Sequence, residues 1–413
     1  MTEDVQGGPR NPPSAAAGGT PGTWVEVLAI FLRLGLTSFG GPVAHLGYFR
    51  EEFVTKRRWI DDRTYADIVA LCQFLPGPAS SQVGIALGLS RAGYAGAFAA
   101  WAGFTLPSAI ALVAFAYGVD AFGGLGGSGW LHGLKVAAVA VVAQAVLGMM
   151  RTLTPDRDRA TIAVVTAGVI LALPSAWTLV GMILVGGIVG TLLLRAEVPI
   201  DHVSLPLPVS RRTGGVLLVI FFVLLAGLPL LGAATSSHGV ELIDAFYRTG
   251  ALVFGGGHVI LPLLQESVVP PGWVSNDVFL AGYGAAQAVP GPLTTFAAYL
   301  GAIMTPEPNG VAGAALCLVA VFVPSFLLVI GALPFWEELR RRGTAQAALR
   351  GVNATVVGIL LAALYDPVWT SGITSSADFA LGAGAFLLLF MWKTPPWLVV
   401  VLCALGGALI GAS

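Results

Sequence analysis

Long apolar stretches, separated by short polar segments, run through almost the whole of this chain. Apolar residues make up 56% of the 413 positions, and Asp, Glu, Lys and Arg together make up only 10%. A soluble globular chain contains about a quarter charged residues, so this chain has too little polar surface to cover a particle of its size in water. The stretches are also longer than the alternating segments of a β-barrel. We therefore predict an all-α, polytopic membrane protein.

The first 22 residues have a different composition from the rest. They are rich in Pro, Gly, Ala and Ser, and they lack the basic start and apolar stretch of a signal peptide. We interpret residues 1–22 as a disordered cytoplasmic tail. Cys72, Cys317 and Cys403 lie in apolar contexts without metal-ligand spacing. Neither a disulfide framework, a metal site nor a cofactor is therefore expected.

The second half of the sequence repeats the first. FLRLGLTSFGG at 31–41 matches FYRTGALVFGG at 246–256, and QFLPGP at 73–78 matches QAVPGP at 287–292. Further matched positions are Trp59 with Trp273, Pro107-Ser108 with Pro324-Ser325, and Lys135 with Asn353. All these pairs, and the later pair Trp177 with Trp397, follow one another in order at an offset that drifts only from 214 to 220 residues. Chance similarity between apolar segments does not produce such an order, so we predict two related repeats.

Helix-disrupting residues break two apolar segments in each repeat. In repeat 1 the breaks are Gly40-Gly41-Pro42 and Pro76-Gly77-Pro78. The arm that runs from 65 to 75 would form a helix of about 16 Å, roughly half the thickness of the hydrocarbon core. Each broken segment is therefore predicted to be a re-entrant hairpin, which enters to mid-depth, turns at the break and returns.

The positions of the basic residues predict the orientation. With the broken segments drawn as hairpins, every Lys and Arg except Arg33, Lys135 and Arg248 falls on one side of the membrane. Cytoplasmic loops carry an excess of Lys and Arg, so we expect a cytoplasmic N-terminus and an external C-terminus. The predicted units are repeat 1 (24–195), a connecting transmembrane helix (213–233) and repeat 2 (240–411), inverted relative to repeat 1.

Two inverted repeats of this kind are typical of transporters, with a binding site near the midplane where the repeats meet. A helix that restarts after a break exposes backbone N–H groups and the positive end of its dipole, which favours anions. Neighbouring hydroxyls can donate to oxyanion oxygens, although they could equally well cap the helix ends. The predicted anion-binding positions at the breaks are Ser38, Gly40, Gly41, Gly77, Ser80, Ser81, Gly255, Gly256, Gly291, Thr294 and Thr295.

Arg33 and Arg248 occupy equivalent positions, each seven residues before a double glycine. An arginine within the membrane is costly unless it is paired or hydrated, so both are candidates for anion binding. The alternative is a structural ion pair with Glu26 or Glu241, which are also equivalent. Lys135 has Asn353 as its counterpart, so it is either an asymmetric functional charge or a residue that reaches to an interface.

Four titratable residues near the hairpins are candidates for coupling. His45 and His258 follow the breaks and titrate near physiological pH, but they could instead bond broken backbone. Glu51 and Glu266 lie where the first hairpins end and could simply be solvated.

The motif segments closely resemble the chromate ion transporter (CHR) family in its long, two-domain form. These segments are SFGGPVAHLGYFREEFV, QFLPGPAS, FGGGHVILPLLQ and QAVPGPL. The resemblance runs from about residue 24 to the end of the chain, and it implies export of chromate across the inner membrane with sulfate as a competitor. The motif residues that it carries over are Arg33, Gly40, Gly41, His45, Pro76, Gly77, Pro78, Arg248, Gly255, Gly256, Pro290, Gly291 and Pro292. His258 departs from the pattern, since it lies two positions out of register with His45.

Other functions remain open at this level. An exchanger for sulfate or another oxyanion, or an anion channel, could use the same plan. A membrane-embedded enzyme would need a converging nucleophile or metal triad, and no such spacing is found in the sequence. The expected partners are an oxyanion, the lipid bilayer and a second copy of the chain in a homodimer, with no nucleic acid.

Overall fold

The computed structural model describes residues 22–121, 129–194, 209–235 and 237–411, and every regular element in these ranges is helical. Nearly all of the predicted N-terminal tail lies outside the described residues. Six of the described helices are long and apolar enough to cross a membrane. The prediction of a helical membrane protein is therefore confirmed.

The described residues of repeat 1 form seven helices. They are α1 (Trp24–Thr37), α2 (Gly41–Arg50), α3 (Asp62–Phe74), α4 (Ala79–Ala121), α5 (Gly129–Leu153), α6 (Arg157–Ala172) and α7 (Ala176–Leu193). A π-helical turn, Glu51–Lys56, extends α2. Ala92 and Gly93 have non-helical backbone angles, so α4 consists of a short arm before this kink and a long arm after it.

A single helix, α8 (Arg211–Thr235), connects the repeats. The first part of repeat 2 comprises α9 (His238–Leu252), α10 (Ile260–Val268), α11 (Asn276–Ala286) and α12 (Phe296–Ile303). The remaining helices are α13 (Gly310–Ala332), α14 (Trp336–Arg340), α15 (Gly343–Ala363), α16 (Thr370–Gly372), α17 (Ser376–Phe390) and α18 (Pro396–Ile410). A π-helical turn, Leu364–Trp369, joins α15 to α16.

The broken segments of repeat 1 are hairpins, because their outer ends meet. The backbone N–H of Gly22, before α1, donates to the carbonyl of Arg91 at the end of the short arm of α4. Arg91 also forms an ion pair with Glu26 at 3.2 Å, and its guanidinium lies 5.0 Å from the ring centre of Trp59, between the two hairpins. The chain therefore enters and leaves each hairpin at one end of the molecule, which we name the repeat-1 end.

Repeat 2 has the same arrangement around the matching tryptophan. The ring of Trp273 lies 4.7 Å from the ring of His238 in the first turn of α9. The carbonyl of Trp273 accepts a bond from the backbone N–H of Thr305, directly after α12. These residues define the repeat-2 end.

The long arm of α4 shows that the two ends lie on opposite sides of the molecule. It starts beside Arg91 at the repeat-1 end, and Ser108 contacts Pro290 of the last break. Further along, Phe115 lies 5.9 Å from Tyr299 of α12, at the repeat-2 end. The arm rises by about 35 Å between residues 94 and 117. Since the hairpins open to opposite ends, the predicted inverted arrangement of the repeats is confirmed.

The remaining helices form a bundle in which the repeats are interleaved. Helix α5 packs against α18, and α15 packs against α7, so each close pair takes one helix from each repeat. Small residues allow this approach, as where Gly133 lies against Cys403 and Gly351 lies against Gly186. Close packing of small residues is a usual way to join helices in lipid, where no hydrophobic force drives association.

Candidate functional site

The six glycines predicted at the breaks all have backbone angles that favour glycine. Gly77 has φ of 126° and Gly291 has φ of 88°, and Gly40, Gly41, Gly255 and Gly256 are also in the positive-φ range. Residues with a Cβ rarely adopt these angles. The helix breaks predicted from the sequence therefore contain residues whose backbone angles favour glycine.

The breaks of one repeat pair with those of the other through the backbone. The N–H of Gly77 donates to the carbonyl of Val253 at 2.6 Å, and the N–H of Gly291 donates to the carbonyl of Ser38 at 2.9 Å. Ser38 and Val253 are equivalent positions, as are Gly77 and Gly291. The second break of each repeat therefore bonds the first break of the other, so four interrupted helices meet at one place.

Two serines from the long helices reach the same place. Ser108 of α4 donates to the carbonyl of Pro290, and a Cβ on Gly291 would overlap its hydroxyl. Its counterpart, Ser325 of α13, lies at the other PGP break, where its hydroxyl would be 3.0 Å from a Cβ on Gly77. At this break Gln82 donates to the carbonyl of Pro76 at 2.6 Å.

His45 connects the two hairpins of repeat 1. Its Nε2 lies 3.2 Å from the carbonyl oxygen of Ser38, and its Nδ1 lies 3.3 Å from the hydroxyl of Ser80. The ring packs edge-on against Phe104 at 5.1 Å and is buried. The structure thus shows His45 bonded to broken backbone, which was one of the two sequence interpretations.

Polar atoms around the breaks are buried without a hydrogen-bond partner among the described residues. They are the hydroxyl oxygens of Ser38, Ser81, Thr105 and Ser325 and the amide oxygen of Gln82. Buried polar atoms are usually satisfied, so each such atom needs an explanation. Their concentration where four helices are interrupted marks this place as the candidate binding site.

Helix ends at the breaks add further donors. No side chain caps the N-terminus of α2 after Gly40, nor the 3₁₀ turns that start after Gly256 and Pro292. Gly257 and Pro42, which follow the two first breaks, come within contact distance of each other. Thr294 and Thr295 are buried in the last of these turns, and the Thr295 hydroxyl donates to the carbonyl of Pro292 at 2.8 Å.

Arg33 lies away from the paired breaks. Its side chain is 57% exposed, and it forms an ion pair with Glu52 at 2.5 Å across the first hairpin. Arg57 also bonds Glu52, at 2.7 Å. The suggested pairing of Arg33 with Glu26 is wrong, because Glu26 lies about two helical turns earlier on α1 and pairs with Arg91.

Arg248 has a local partner. It forms an ion pair with Asp244, one helical turn earlier on α9. The suggested partner Glu241 instead lies 3.3 Å from His238 in the first turn of the same helix. Asp244 and Arg248 are four residues apart, a spacing that favours an ion pair on a helix. The sequence therefore contained a signal for this pair, although Asp244 was not among the predicted partners.

The other coupling candidates are dispersed. Glu51 is exposed and lies 3.6 Å from Lys56. Glu266 accepts a bond from the backbone N–H of Ala176 at the start of α7. His258 lies 3.0 Å from the hydroxyl of Tyr283, so it has a different partner from His45. Among the described residues, no three His, Cys, Asp or Glu side chains converge as a metal site would require.

Sequence reasoning missed four residues of the site. Ser108 and Ser325 were visible as matched Pro-Ser pairs but were used only to align the repeats. Gln82 and Thr105 have no polar counterpart in the other repeat, so the comparison of the repeats gave no reason to select them.

Known proteins are similar to almost the whole of this chain. The family model described as chromate transporter matches twice, over residues 25–191 and 240–408. A chromate transport protein from Pseudomonas aeruginosa is 28% identical over 94% of this chain and 92% of its own length. A chromate transport protein from Cupriavidus metallidurans is 28% identical over 98% of this chain and 97% of its own length. No solved structure gives a significant match. With both repeats matched, the chain belongs to the chromate transporter family.

Proposed function

We propose that this protein exports chromate from the cell, with sulfate as a competing or exchanged oxyanion. Membership of the family and the names of the relatives support chromate as the substrate. The observation that carries the proposed site is the group of unpartnered, buried polar atoms where the four breaks meet.

The chemistry of this site suits a tetrahedral dianion. Hydroxyl groups of Ser38, Ser81 and Ser325 can rotate to donate to oxyanion oxygens. Uncapped helix N-termini add backbone donors and partial positive charge. These donors carry no formal charge, so no buried charge has to be neutralised when the anion leaves. Broken backbone at membrane depth is tolerated where it lines such a site.

The same donors do not distinguish chromate from sulfate, since both are tetrahedral dianions of similar shape. A sulfate or other oxyanion exchanger is therefore the alternative function. Flux stimulated by sulfate on the opposite side of the membrane would indicate exchange, whereas a channel would conduct without such stimulation.

The orientation is also proposed. In the structure Arg50, Arg91, Arg151 and Arg341 all belong to the repeat-1 end or to helix ends on that side. The positive-inside tendency makes this the cytoplasmic side. The N-terminus would then be cytoplasmic and the C-terminus external. The proposed repeat boundaries are those predicted from the sequence. Arg33 would lie on the cytoplasmic half of the first hairpin.

Three hydroxyl deletions test the site. We expect Ser38→Ala, Ser81→Ala and Ser325→Ala each to raise the KM for chromate about tenfold, because a hydrogen bond to a charged group contributes about 1.5–3 kcal/mol. Uptake of radiolabelled chromate into inside-out vesicles, with sulfate as competitor, measures the effect.

Thr161→Ala is the matched control, since its hydroxyl donates to the carbonyl of Arg157 on α6, away from the breaks. An unchanged KM in all three site variants would contradict the proposed site. Chromate uptake no faster than in vesicles without the protein would contradict the proposed substrate.

A further inference from the structure

The two repeats differ in how their hairpins meet the helix bundle. This asymmetry is visible because each position in one repeat has a counterpart in the other. The asymmetry itself is a feature of the structure. What it implies for transport rests on the proposed function.

The hairpins of repeat 2 pack tightly on the bundle. Gly284 of α11 lies directly against the backbone carbonyl of Leu134 on α5. About two turns earlier, Asp277 forms an ion pair with Lys135 of the same bundle helix at 2.9 Å. Helix α10 packs against α7 and α15. The repeat-2 end is therefore closed.

The matching surfaces of repeat 1 are uncovered. Tyr48 of α2 is 44% exposed, whereas its counterpart Leu263 is 5% exposed. Ala70 of α3 is exposed, whereas its counterpart Gly284 is buried against α5. Within the described part of the chain, α3 packs mainly against α2 and α4. The ion pair between Asp67 and Arg340 joins α3 to α14, but α3 makes no extensive contact with α15, which is the counterpart of α5. The repeat-1 end is therefore open between hairpins and bundle.

The ion pair at the closed end has no equivalent at the open end. The counterpart of Asp277 is Arg63, and the counterpart of Lys135 is Asn353. If the repeat-1 end closed by the same motion, Arg63 and Asn353 would approach each other, and they cannot form an ion pair. The two gates are thus built with unequal strength.

A cavity of about 430 Å³ lies directly outside the ion pair at the repeat-2 end. Lys135 and Asp277 line it together with His132 and Asp378, whose side chains lie 2.9 Å apart within the bundle. Ala281 also lines the cavity, and Gly284 lies one turn deeper on α11. The cavity therefore ends where α11 meets α5.

We infer that the Lys135–Asp277 ion pair is a latch that holds the repeat-2 gate closed and leaves the protein at rest with its repeat-1 end open. Opening requires α11 to leave α5, which breaks the latch and joins the cavity to the paired breaks. With the repeat-1 end on the cytoplasmic side, an exporter at rest presents its site to the compartment from which it removes the anion.

Cysteine crosslinking tests the latch without any substrate. The symmetry of the repeats predicts that Ala70 and Val352 meet when the repeat-1 end closes, because they are the counterparts of Gly284 and Leu134. The pair Ala70→Cys and Val352→Cys is introduced after Cys72, Cys317 and Cys403, all buried, are replaced by alanine. A short bifunctional methanethiosulfonate reagent then reports the closed repeat-1 state.

We expect slow crosslinking while the latch is intact. In Lys135→Gln or Asp277→Asn the crosslinking rate should be up to about fivefold higher, because an ion pair with one exposed partner contributes at most about 1 kcal/mol. Asp277 is 70% exposed and Lys135 is 15% exposed. The exchanged pair Lys135→Asp with Asp277→Lys should restore the slow rate.

Glu338→Gln is the matched control, because it removes an exposed ion pair with Arg211 that lies away from the bundle contact. An equal rate in the latch variants and the intact protein would overturn the latch. If crosslinking were fast in every variant, or absent in every variant, the repeat-1 end would not close in the way that the symmetry of the repeats predicts. Neither result depends on chromate, so a failure of the proposed substrate would be recognised separately in the flux assay.

Discussion

Replacement of Gly77 or Gly291 by alanine is expected to abolish most transport. Both residues have positive φ, and a Cβ would overlap Gln82 at the first position and Ser108 at the second. Both also donate the backbone bonds that join the repeats. A shift of either break to relieve the overlap would therefore separate the two halves of the site.

The magnitude follows from two contributions. A left-handed backbone conformation costs about 1–2 kcal/mol for a residue with a Cβ, and the loss of a backbone hydrogen bond adds about 0.5–1.5 kcal/mol. Since 1.4 kcal/mol corresponds to about a tenfold change, we expect chromate flux to fall by about tenfold to a few hundredfold. Initial rates in inside-out vesicles, normalised to the amount of protein, measure this.

Two controls separate the causes. Gly41→Ala introduces strain without overlap, since φ is 77° and nothing lies within 4 Å of its Cβ, so a smaller loss is expected. Gly148→Ala in α5 has open space and helical backbone, so its flux should be unchanged. If Gly77→Ala and Gly291→Ala transported as well as Gly148→Ala, the breaks would not form the site.

Loss of the buried ion pair between Asp67 and Arg340 is expected to have the largest effect on stability. It joins α3 of repeat 1 to α14 of repeat 2 at 3.3 Å, and both side chains are less than a tenth exposed. Arg340 also pairs with Glu337, so loss of Asp67 removes one of its two carboxylate partners, whereas loss of Arg340 breaks the whole buried contact. Breaking a buried ion pair typically costs about 3–5 kcal/mol, so the larger effect is expected for Arg340→Gln. We expect Asp67→Asn and Arg340→Gln to unfold at clearly lower temperature in detergent.

The neighbouring Arg341→Gln is the control. Arg341 pairs with Glu337 but is 70% exposed, so its loss should change the melting temperature little. The double variant Asp67→Leu with Arg340→Met should recover part of the stability, because apolar residues of similar volume can replace a buried pair. Equal melting temperatures for the Asp67 and Arg341 variants would show that the pair does not stabilise the fold.

Local features of the site could be predicted from the sequence because their causes are local. Gly40, Gly77 and their counterparts are needed wherever the backbone takes a positive φ, and proline next to them ends a helix. The short arms between such breaks cannot cross a bilayer. The hairpins and their inverted arrangement therefore followed from residue type, spacing and the distribution of charge.

The partners of the charged residues could not be found in the same way. Equivalence of Glu26 with Glu241 suggested a symmetric pairing with the arginines, yet Arg33 pairs with Glu52 across a hairpin. Which carboxylate an arginine reaches depends on how two arms are packed. The offset between the repeats identifies equivalent residues, but it does not show which residues on different arms form ion pairs.

The apolar stretches and the charge distribution by themselves determined that this is a helical membrane protein, and the duplication determined that it is built from two related halves. Only the tertiary structure decided that the second break of each repeat bonds the first break of the other, through Gly77 with Val253 and Gly291 with Ser38. It also decided that one end is closed and the other open. Both depend on how distant segments dock. Surfaces that the duplication relates can therefore be packed together at one end and separated at the other.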